Sequence, residues 1–259
     1  MDDRTLCDRM LAGMEAFFGL AGDTSPRGWT IRRDGVVASV CPEMPHRSVF
    51  NSVVYRSAPK LEAALGDLAD AYADARVAAW TVWTPERDAA ARDALRRSGH
   101  RLDATPQAMA APLDEIDLDG GAEGLDWERA GRVEEMVAIL EQAFGWELAP
   151  AAAVFARLPE HGHVYVARAE GRTAACVAAL DAGDDCAIFN VGTLSEARGR
   201  GLCTGLMRKA LAEARRRGCT TTSLQATAMG RPIYARLGYR ELGVIEMWER
   251  RRDQPQGGT

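Results

Sequence analysis

A basic, glycine-rich stretch, EARGRGLCTG, separates an apolar strand pattern from a long helical pattern. Its first two glycines, Gly199 and Gly201, have no Cβ, so the backbone there can adopt a positive φ and approach a ligand closely. The first amides of the following helix have no intrahelical acceptor, and the helix dipole adds positive potential. Because Arg198 and Arg200 add charge and Thr204 adds a hydroxyl, the stretch predicts an anion site, most naturally for a phosphate or diphosphate.

Three interpretations of this stretch compete. It can be a tight strand-to-helix turn whose arginines are merely solvated. It can be a nucleotide loop, but the pattern G-x-x-x-x-G-K-[ST] is absent. The spacing of Gly199, Gly201 and Gly205 is only loosely that of a dinucleotide loop. The next strand ends without the acidic residue that would bind a ribose, and too little chain remains for a dinucleotide-binding fold. The third interpretation is a diphosphate site for coenzyme A.

The third interpretation is supported by a resemblance. LSEARGRGLCTGLM resembles motif A of the GNAT superfamily of N-acetyltransferases, [QR]-x-x-G-x-[GA], with Arg198 and Gly201 in place and Cys203 at the final Gly or Ala position. Downstream, GRPIYARLGYREL resembles the closing Tyr-x-x-x-Gly-[FY] turn of the family, with Tyr234 as its tyrosine. The family's frequent Asn before that tyrosine is replaced by Thr227. The resemblance covers about residues 125–250.

The resemblance implies an acetyl-CoA co-substrate and an amine acceptor. Tyr234 is implied as the general acid that gives a proton to the departing thiolate. The backbone from Val191 to Thr193 is implied to pair with the pantetheine arm, as an added strand would. The residues implied to bind coenzyme A are Val191, Thr193, Leu194, Arg198, Gly199, Arg200, Gly201, Leu202, Cys203, Thr204, Thr227 and Tyr234.

The general base is left open. Glu147, Asp181 and Asp185 are possible carboxylates, and Asn190 can hold a water molecule; each is equally well an ordinary polar residue. Glu147 is carried forward as the candidate. The aromatic residues Phe144, Trp146 and Phe155 lie on the segment that covers the acceptor site in relatives, although aromatic residues at this spacing are more often core.

The elements around these residues predict an α/β (α+β) protein of two GNAT-like domains, each with a mixed central sheet flanked by helices. Periodicity gives a similar order of strands and helices on both sides of the acidic, glycine-rich segment 114–124. Phe-Asn pairs and the stretches RSGHR and RLGYR recur at one common offset, which favours duplication. The expected parts are a degenerate domain at 1–113, a linker at 114–124, a catalytic domain at 125–250 and a flexible tail at 251–259.

The first domain is expected to bind no coenzyme A. At the shared offset, the two loop glycines have no counterpart, and the matching stretch contains Pro59, which lacks an amide proton, and Glu62, which adds negative charge. Leu95 stands where Tyr234 would be. The domain is therefore interpreted as scaffold that completes the acceptor pocket or forms an interface.

Composition excludes several classes. A net charge of −5 argues against a general nucleic-acid binder, and no apolar run approaches the roughly 20 residues of a membrane helix. The N-terminus lacks the apolar core of a signal peptide, and the six cysteines are scattered, which favours reduced thiols and a cytoplasmic location. The four histidines lack ligand spacing with cysteines, so no metal is expected; His161 and His163 form an ordinary pair.

The sequence therefore predicts an N-acetyltransferase that moves an acetyl group from acetyl-CoA to a primary amine of a small molecule or peptide, directly, in a ternary complex. The alternative is a non-catalytic acyl-CoA sensor, favoured by Cys203, by the missing Asn and by the absence of an evident base. A nicotinamide enzyme is a more distant alternative. The acceptor, the acyl chain length and the choice between monomer and homodimer are left open.

Overall fold

The computed structural model describes residues 1–119 and 124–252. Part of the expected linker, residues 120–123, and most of the expected tail, residues 253–259, lie outside the described residues. Within the described ranges, no helix is long and apolar enough to cross a membrane. The chain forms two compact units, one of Met1–Phe17 with Gln107–Gly243, and one of Phe18–Pro106 with the chain from Val244 onward. They are called the C-terminal unit and the N-terminal unit.

The first part of the chain alternates helices with short strands. Its elements are α1 (Asp3–Thr24), β1 (Trp29–Arg33), β2 (Val36–Val40), β3 (Ser52–Tyr55), α2 (Ala58–Asp74), β4 (Ala79–Pro85), α3 (Ala89–Arg97) and β5 (Arg101–Ala104). The second part begins with β6 (Gln107–Pro112), β7 (Trp127–Ala130), α4 (Glu134–Phe144), α5 (Ala151–Phe155) and α6 (Leu158–His161). It continues with β8 (His163–Ala169), β9 (Arg172–Ala182), β10 (Asp185–Thr193), α7 (Leu202–Arg217), β11 (Thr221–Ala226), α8 (Arg231–Leu237) and β12 (Arg240–Arg251).

Each unit has a mixed sheet with one parallel pair, as the sequence predicts. In the C-terminal unit the order is β6-β11-β10-β9-β8-β7, with β10 and β11 parallel and the other pairs antiparallel. In the N-terminal unit the order is β1-β2-β3-β4-β12-β5, with β3 and β4 parallel. Both units therefore have the fold class expected of a tandem GNAT-like chain.

The division between the units differs from the one predicted at residues 113 and 125. Residues 107–112 were placed in the first domain, yet they form β6, which pairs with β11 of the C-terminal unit. The last strand was expected wholly in the second domain, yet from Ile245 to Arg251 it pairs with β4 of the N-terminal unit. In each sheet the outer strand of the parallel pair needs an antiparallel neighbour to satisfy its backbone groups, and the chain supplies it from the other half.

The start of the expected linker is packed rather than free. Leu113 and Ile116 are buried in the core of the C-terminal unit. Arg208 of α7 donates to the carboxylate and backbone carbonyl of Asp117. Asp117 thus fixes this segment against α7.

Candidate active site

The basic loop lies between the end of β10 and the start of α7, as the sequence predicts. Gly199 has a φ of 75° and Gly201 a φ of 76°, which are left-handed values that glycine adopts without strain. A Cβ built on either glycine would meet nothing within 4 Å, so the space beside the loop is open. Gly201 is the N-cap of α7, and no side chain caps the helix there. The first amides of α7 are therefore free to bind an anion.

A cavity of about 430 Å³ opens beside this loop. Ten of the residues predicted to bind coenzyme A line it: Val191, Thr193, Arg198, Gly199, Gly201, Leu202, Cys203, Thr204, Thr227 and Tyr234. The two others do not. Leu194 is buried, and its amide donates to the carbonyl of Ala174. Arg200 points to Glu170, with 3.0 Å between Nη1 and Oε1.

Arg198 is held in place by backbone carbonyls. Its guanidinium donates to the carbonyl of Thr193 at 3.4 Å and to that of Ala143 at 3.3 Å. These bonds tie the loop to the ends of β10 and α4. The side chain that the sequence assigned to charge attraction thus also shapes the cavity wall.

β10 and β11 separate next to the cavity. Their parallel register joins Asp185–Ala187 to Thr221–Ser223 and extends no further, although both strands continue. A bulge in the pairing of β10 with β9 falls between Phe189 and Gly192. The backbone of β10 from Val191 to Thr193 therefore borders the cavity at a place where an extended ligand can pair with it.

Tyr234 lies in the cavity wall on α8, almost fully buried. A Cβ on Gly230 would come within 2.8 Å of its ring, so only glycine permits this packing. Burial raises the pKa of Tyr234 well above its ordinary value, and the nearby thiols of Cys203 and Cys176 add to the effect. The hydroxyl is therefore protonated at neutral pH and is a proton donor.

Two positions where the sequence departs from the family pattern are accommodated. Cys203 lines the cavity, and burial raises the pKa of its thiol to about 11, so it stays protonated. The Oγ1 of Thr227 accepts from the amide of Gly230 at 3.2 Å, and its carbonyl accepts from the amide of Arg231 at 2.9 Å. Thr227 thus closes the turn that leads into α8.

The aromatic residues predicted near the acceptor separate into two groups. Phe144 lines the cavity and stacks on Trp146 with ring centroids 5.0 Å apart; both are 40% exposed. Phe155 is buried instead and contacts Phe17 at 5.7 Å between ring centroids. Phe155 is therefore core, which was the alternative considered for all three.

The candidate bases lie in different places. Glu147 is exposed on the segment after α4 and does not line the cavity. Asp181 and Asp185 stand at the β9–β10 hairpin, at the opposite end of β10 from the cavity. Asp181 binds Arg217, and the fully buried Asp185 accepts from Thr221 and Ser223. The structure therefore excludes both aspartates from the cavity.

Sequence reasoning missed several residues of the cavity wall, namely Ala143, Ala197, Met229, Gly230, Ile233 and Arg236. The spacing of Gly230 from Tyr234 was a usable signal, since residues four apart share a helix face. Arg236 is an exposed cation at the same wall. Over the described residues, no group of three His, Cys, Asp or Glu side chains is arranged to hold a metal ion.

Comparison with known proteins gives a family match in the part of the chain that contains this loop. The family model of the GNAT acetyltransferase domain matches residues 160–241. No curated protein sequence matches the chain. Among solved structures, a GCN5-related N-acetyltransferase from Kribbella flavida is similar with a TM-score of 0.67 and 19% identity, covering 95% of each chain.

Two other solved structures are similar along nearly the whole chain. A putative GNAT-family acetyltransferase from Novosphingobium aromaticivorans has a TM-score of 0.56 and 21% identity, over 93% of this chain and 97% of its own. A tandem GNAT protein from the clavulanic acid biosynthesis pathway has a TM-score of 0.57 and 14% identity, over 96% and 97%. These likenesses concern the fold.

The fold is that of a tandem GNAT-like chain, and the family match lies in the C-terminal unit. Residues 160–241 run from β8 through the loop and Tyr234 to the start of β12. These residues match the GNAT acetyltransferase domain, a family whose general reaction is acetyl transfer.

Proposed function

We propose that the C-terminal unit binds acetyl-CoA beside the basic loop and transfers the acetyl group to a primary amine of a small molecule or peptide. The observation that carries the proposal is one cavity that brings together the free amides of the loop, the unpaired edge of β10 and a protonated tyrosine. These three features suit the diphosphate, the pantetheine arm and the departing thiolate, respectively.

The residues beside the loop fit a diphosphate. The space beside Gly199 and Gly201 is open because these residues have no side chain; any other residue at these positions would fill part of it. The amides from Leu202 to Thr204 can bind an anion without competition from a side-chain cap. Arg236 on the far wall is exposed and adds positive charge. In this assignment Leu194 and Arg200, which lie outside the cavity wall, support the loop rather than contact the ligand.

The protons need a donor and an acceptor. Tyr234 would give its proton to the coenzyme A sulfur as the bond from that sulfur to the acetyl carbon breaks. An amine of the lysine type has a reference pKa of about 10.4, so it must lose a proton before it attacks. We assign that step to Glu147, which follows the cavity residue Phe144 by three positions and is exposed on the same segment.

Direct transfer in a ternary complex is supported by Cys203. An acyl-enzyme intermediate needs a thiolate, and the raised pKa of this cavity thiol keeps it protonated at neutral pH. The acetyl group would then pass directly to the amine, with no acyl-enzyme intermediate.

The N-terminal unit is proposed to bind no coenzyme A. The hydroxyl of Tyr55, at the end of β3, donates to Asp88 at 2.9 Å. Helix α2 then begins at Ala58 with Pro59 in its first turn, and Leu61 in the next is fully buried. This turn has neither the glycines nor the full set of free amides found at α7.

The experiment is a thiol-release assay with acetyl-CoA and a panel of primary amines that includes polyamines, amino sugars and peptides. The expected result is amine-dependent release of free coenzyme A, with intersecting double-reciprocal lines that indicate a ternary complex. Parallel lines would contradict direct transfer. Tight binding of acetyl-CoA without turnover on any amine would contradict the proposed acceptor class and favour the sensor function.

The assignment of Glu147 has its own test. Glu147→Gln should lower kcat at neutral pH by about 10²-fold, the lower end for a general base. The matched control is Glu134→Gln, an exposed glutamate at the start of α4 that pairs with Arg132. Equal losses in both variants, or none in Glu147→Gln, would remove Glu147 from this role.

A further inference from the structure

The chain has two asparagines, and their side chains are used differently. The Oδ1 of Asn51 accepts from the amide of Cys41 at 2.8 Å. Its Nδ2 donates to the carbonyls of Met44 at 2.9 Å and Arg47 at 3.3 Å. Asn190 has a buried Nδ2 as well, but this atom has no hydrogen-bond partner among the described residues. A buried amide without a partner disfavours folding, so its retention calls for a partner that the protein alone does not provide.

The backbone of Asn190 is also unusual. Its φ of 50° is left-handed, which is uncommon outside glycine and is tolerated best by asparagine and aspartate. It lies in the bulge of β10, and its carbonyl accepts from the Sγ of Cys176 at 3.3 Å. The bulge and this bond fix the residue in a conformation that an undistorted strand would not have.

The position of Asn190 relates it to the cavity. Along β10 the cavity wall runs from Thr193 back to Val191, and Asn190 is the next residue, directly beyond the residues that line the cavity. A ligand that starts with its diphosphate at the loop and extends along this edge carries its reactive end toward Asn190. The protonated hydroxyl of Tyr234 belongs to the same cavity.

We propose that the Nδ2 of Asn190 donates a hydrogen bond to the carbonyl oxygen of the thioester. The inference rests on the proposed binding of acetyl-CoA and deepens it by assigning a residue to the acyl group. When the amine nitrogen bonds to the carbonyl carbon, the carbonyl electron pair moves to the oxygen, and Nδ2 stabilises that negative charge. The electron pair then returns from the oxygen, the carbon–sulfur bond breaks, and the sulfur takes a proton from Tyr234. The amide nitrogen loses its extra proton to the resulting phenolate, and the asparagine is unchanged.

The experiment compares acetyl-CoA with coenzyme A by calorimetry, which needs no acceptor. The two ligands differ only in the acyl group, so their ratio of Kd values reports on contacts to it. The wild-type protein should bind acetyl-CoA about three- to tenfold more tightly, as one hydrogen bond to a buried donor predicts. Asn190→Gly keeps the left-handed backbone accessible and removes the amide. It should bind coenzyme A as the wild type does and lose the preference for acetyl-CoA.

Asn190→Asp separates donation from proton acceptance, because it keeps the shape and replaces the donor with a carboxylate. It should bind acetyl-CoA more weakly than coenzyme A, and with an amine acceptor identified its kcat should fall by about 10²- to 10³-fold. A preference for acetyl-CoA retained in Asn190→Gly, or a raised kcat in Asn190→Asp, would overturn the inference. Failure of the wild-type protein to bind either ligand would instead overturn the proposed function.

Discussion

Tyr234 is the residue at which local packing and chemistry meet most closely. Its ring fits against Gly230, where a Cβ would approach to 2.8 Å, and its hydroxyl belongs to the cavity wall. Burial raises the pKa of this hydroxyl, so a phenolate does not form at neutral pH and the proton is available for a leaving thiolate. The sequence left a core role for Tyr234 as an alternative. That role is compatible with the proposed acid role, because burial of the ring fixes the position of the hydroxyl.

Tyr234→Phe should therefore lower kcat about 10²- to 10⁴-fold, the usual range for a positioned acid, while the Kd for acetyl-CoA changes by less than about threefold. The measurement is steady-state kinetics with an active amine, together with calorimetry. The matched control is Tyr239→Phe, which removes a buried hydroxyl bonded to Thr222 at 2.8 Å and should cost about 1 kcal/mol of stability with little change in kcat. Wild-type turnover in Tyr234→Phe would contradict the acid role.

For individual residues, the sequence predicted which residue types form the site, but it did not predict their hydrogen-bond partners. The glycines and the tyrosine follow from a motif, because backbone freedom and a phenol are properties of single residues. The bonds of Arg198 to Thr193 and Ala143 depend on how α4 packs near the loop, which one sequence does not reveal. Likewise, the lack of a hydrogen-bond partner for the Nδ2 of Asn190 can be recognised only when the surrounding residues are known.

Helix α7 is fixed at the end opposite the loop by a network of polar side chains. Arg217, its last residue, donates to Asp181 with Nε at 2.6 Å and Nη2 at 2.8 Å, and to the hydroxyl of Tyr165 at 3.3 Å. The Nε2 of His163 lies 3.6 Å from the same aspartate. The network holds the helix against β8 and β9, and so fixes the position of the amides at its other end.

Because of this network, the free energy of unfolding should decrease as the pH falls into the acidic range. Partial burial acts to raise the pKa of Asp181, but the bonds from Arg217 and His163 outweigh it, so the pKa lies well below its ordinary value. A lowered pKa contributes stability above the unfolded value of about 3.9, and that contribution is lost as the pH falls through the folded value. Asp181→Asn should therefore destabilise the protein by about 1–3 kcal/mol at pH 7, and by progressively less below about pH 4.

Urea unfolding of the wild type and the variant at several pH values between 3 and 7 measures this difference. The control is Asp93→Asn, whose exposed carboxylate pairs with Arg96 and should change stability by less than about 0.5 kcal/mol. A destabilisation by Asp181→Asn that is constant across this pH range would contradict the electrostatic explanation.

Among the elements, the long periodic helix α7 and several short strands were predictable, whereas β6 and β7 were missed. The apolar stripe of α7 is buried at Leu206, Ala210, Leu211 and Ala214, as its spacing indicates. β6, with the sequence QAMAAP, was missed because it has no β-branched residue and ends in proline. β7 was missed because four residues carry too little pattern.

The internal repeats illustrate the same limit. In RSGHR and RLGYR, Gly99 and Gly238 both end a helix with a positive φ and precede a strand, so these stretches are structurally equivalent. The Phe-Asn pairs are not. Asn51 precedes β3, whereas Asn190 lies near the end of β10. The shared offset therefore marks equivalent positions for one pair of stretches and not for the other.

For the whole molecule, the interleaved units have a consequence for folding. A fragment of residues 125–250 lacks β6, which satisfies the edge of β11, and lacks the part of α1 whose Arg9 donates to Thr220 and Thr221. A fragment of residues 1–113 lacks the strand that lies between β4 and β5. Exposed strand edges of this kind promote aggregation.

We therefore expect neither fragment to fold alone, although both follow the division that the sequence suggests. Circular dichroism and amide-proton NMR spectra of each fragment measure this, and co-expression of fragments 1–106 and 107–259 is the control, because that cut leaves every strand intact. A dispersed spectrum and acetyl-CoA binding by residues 125–250 alone would contradict the expectation.

The most direct test of the central claim is a calorimetric titration of acetyl-CoA into the full chain and into Gly201→Glu. The claim is that the free amides beside Gly201 bind the diphosphate, so the wild type should bind one equivalent per chain, and the variant none that can be measured, because the new carboxylate fills the open space with negative charge. Gly183→Glu is the control, since Gly183 has a φ of 60° and equally open space at the β9–β10 turn; it should bind as the wild type does. Unchanged affinity in Gly201→Glu, or two equivalents in the wild type, would contradict the account.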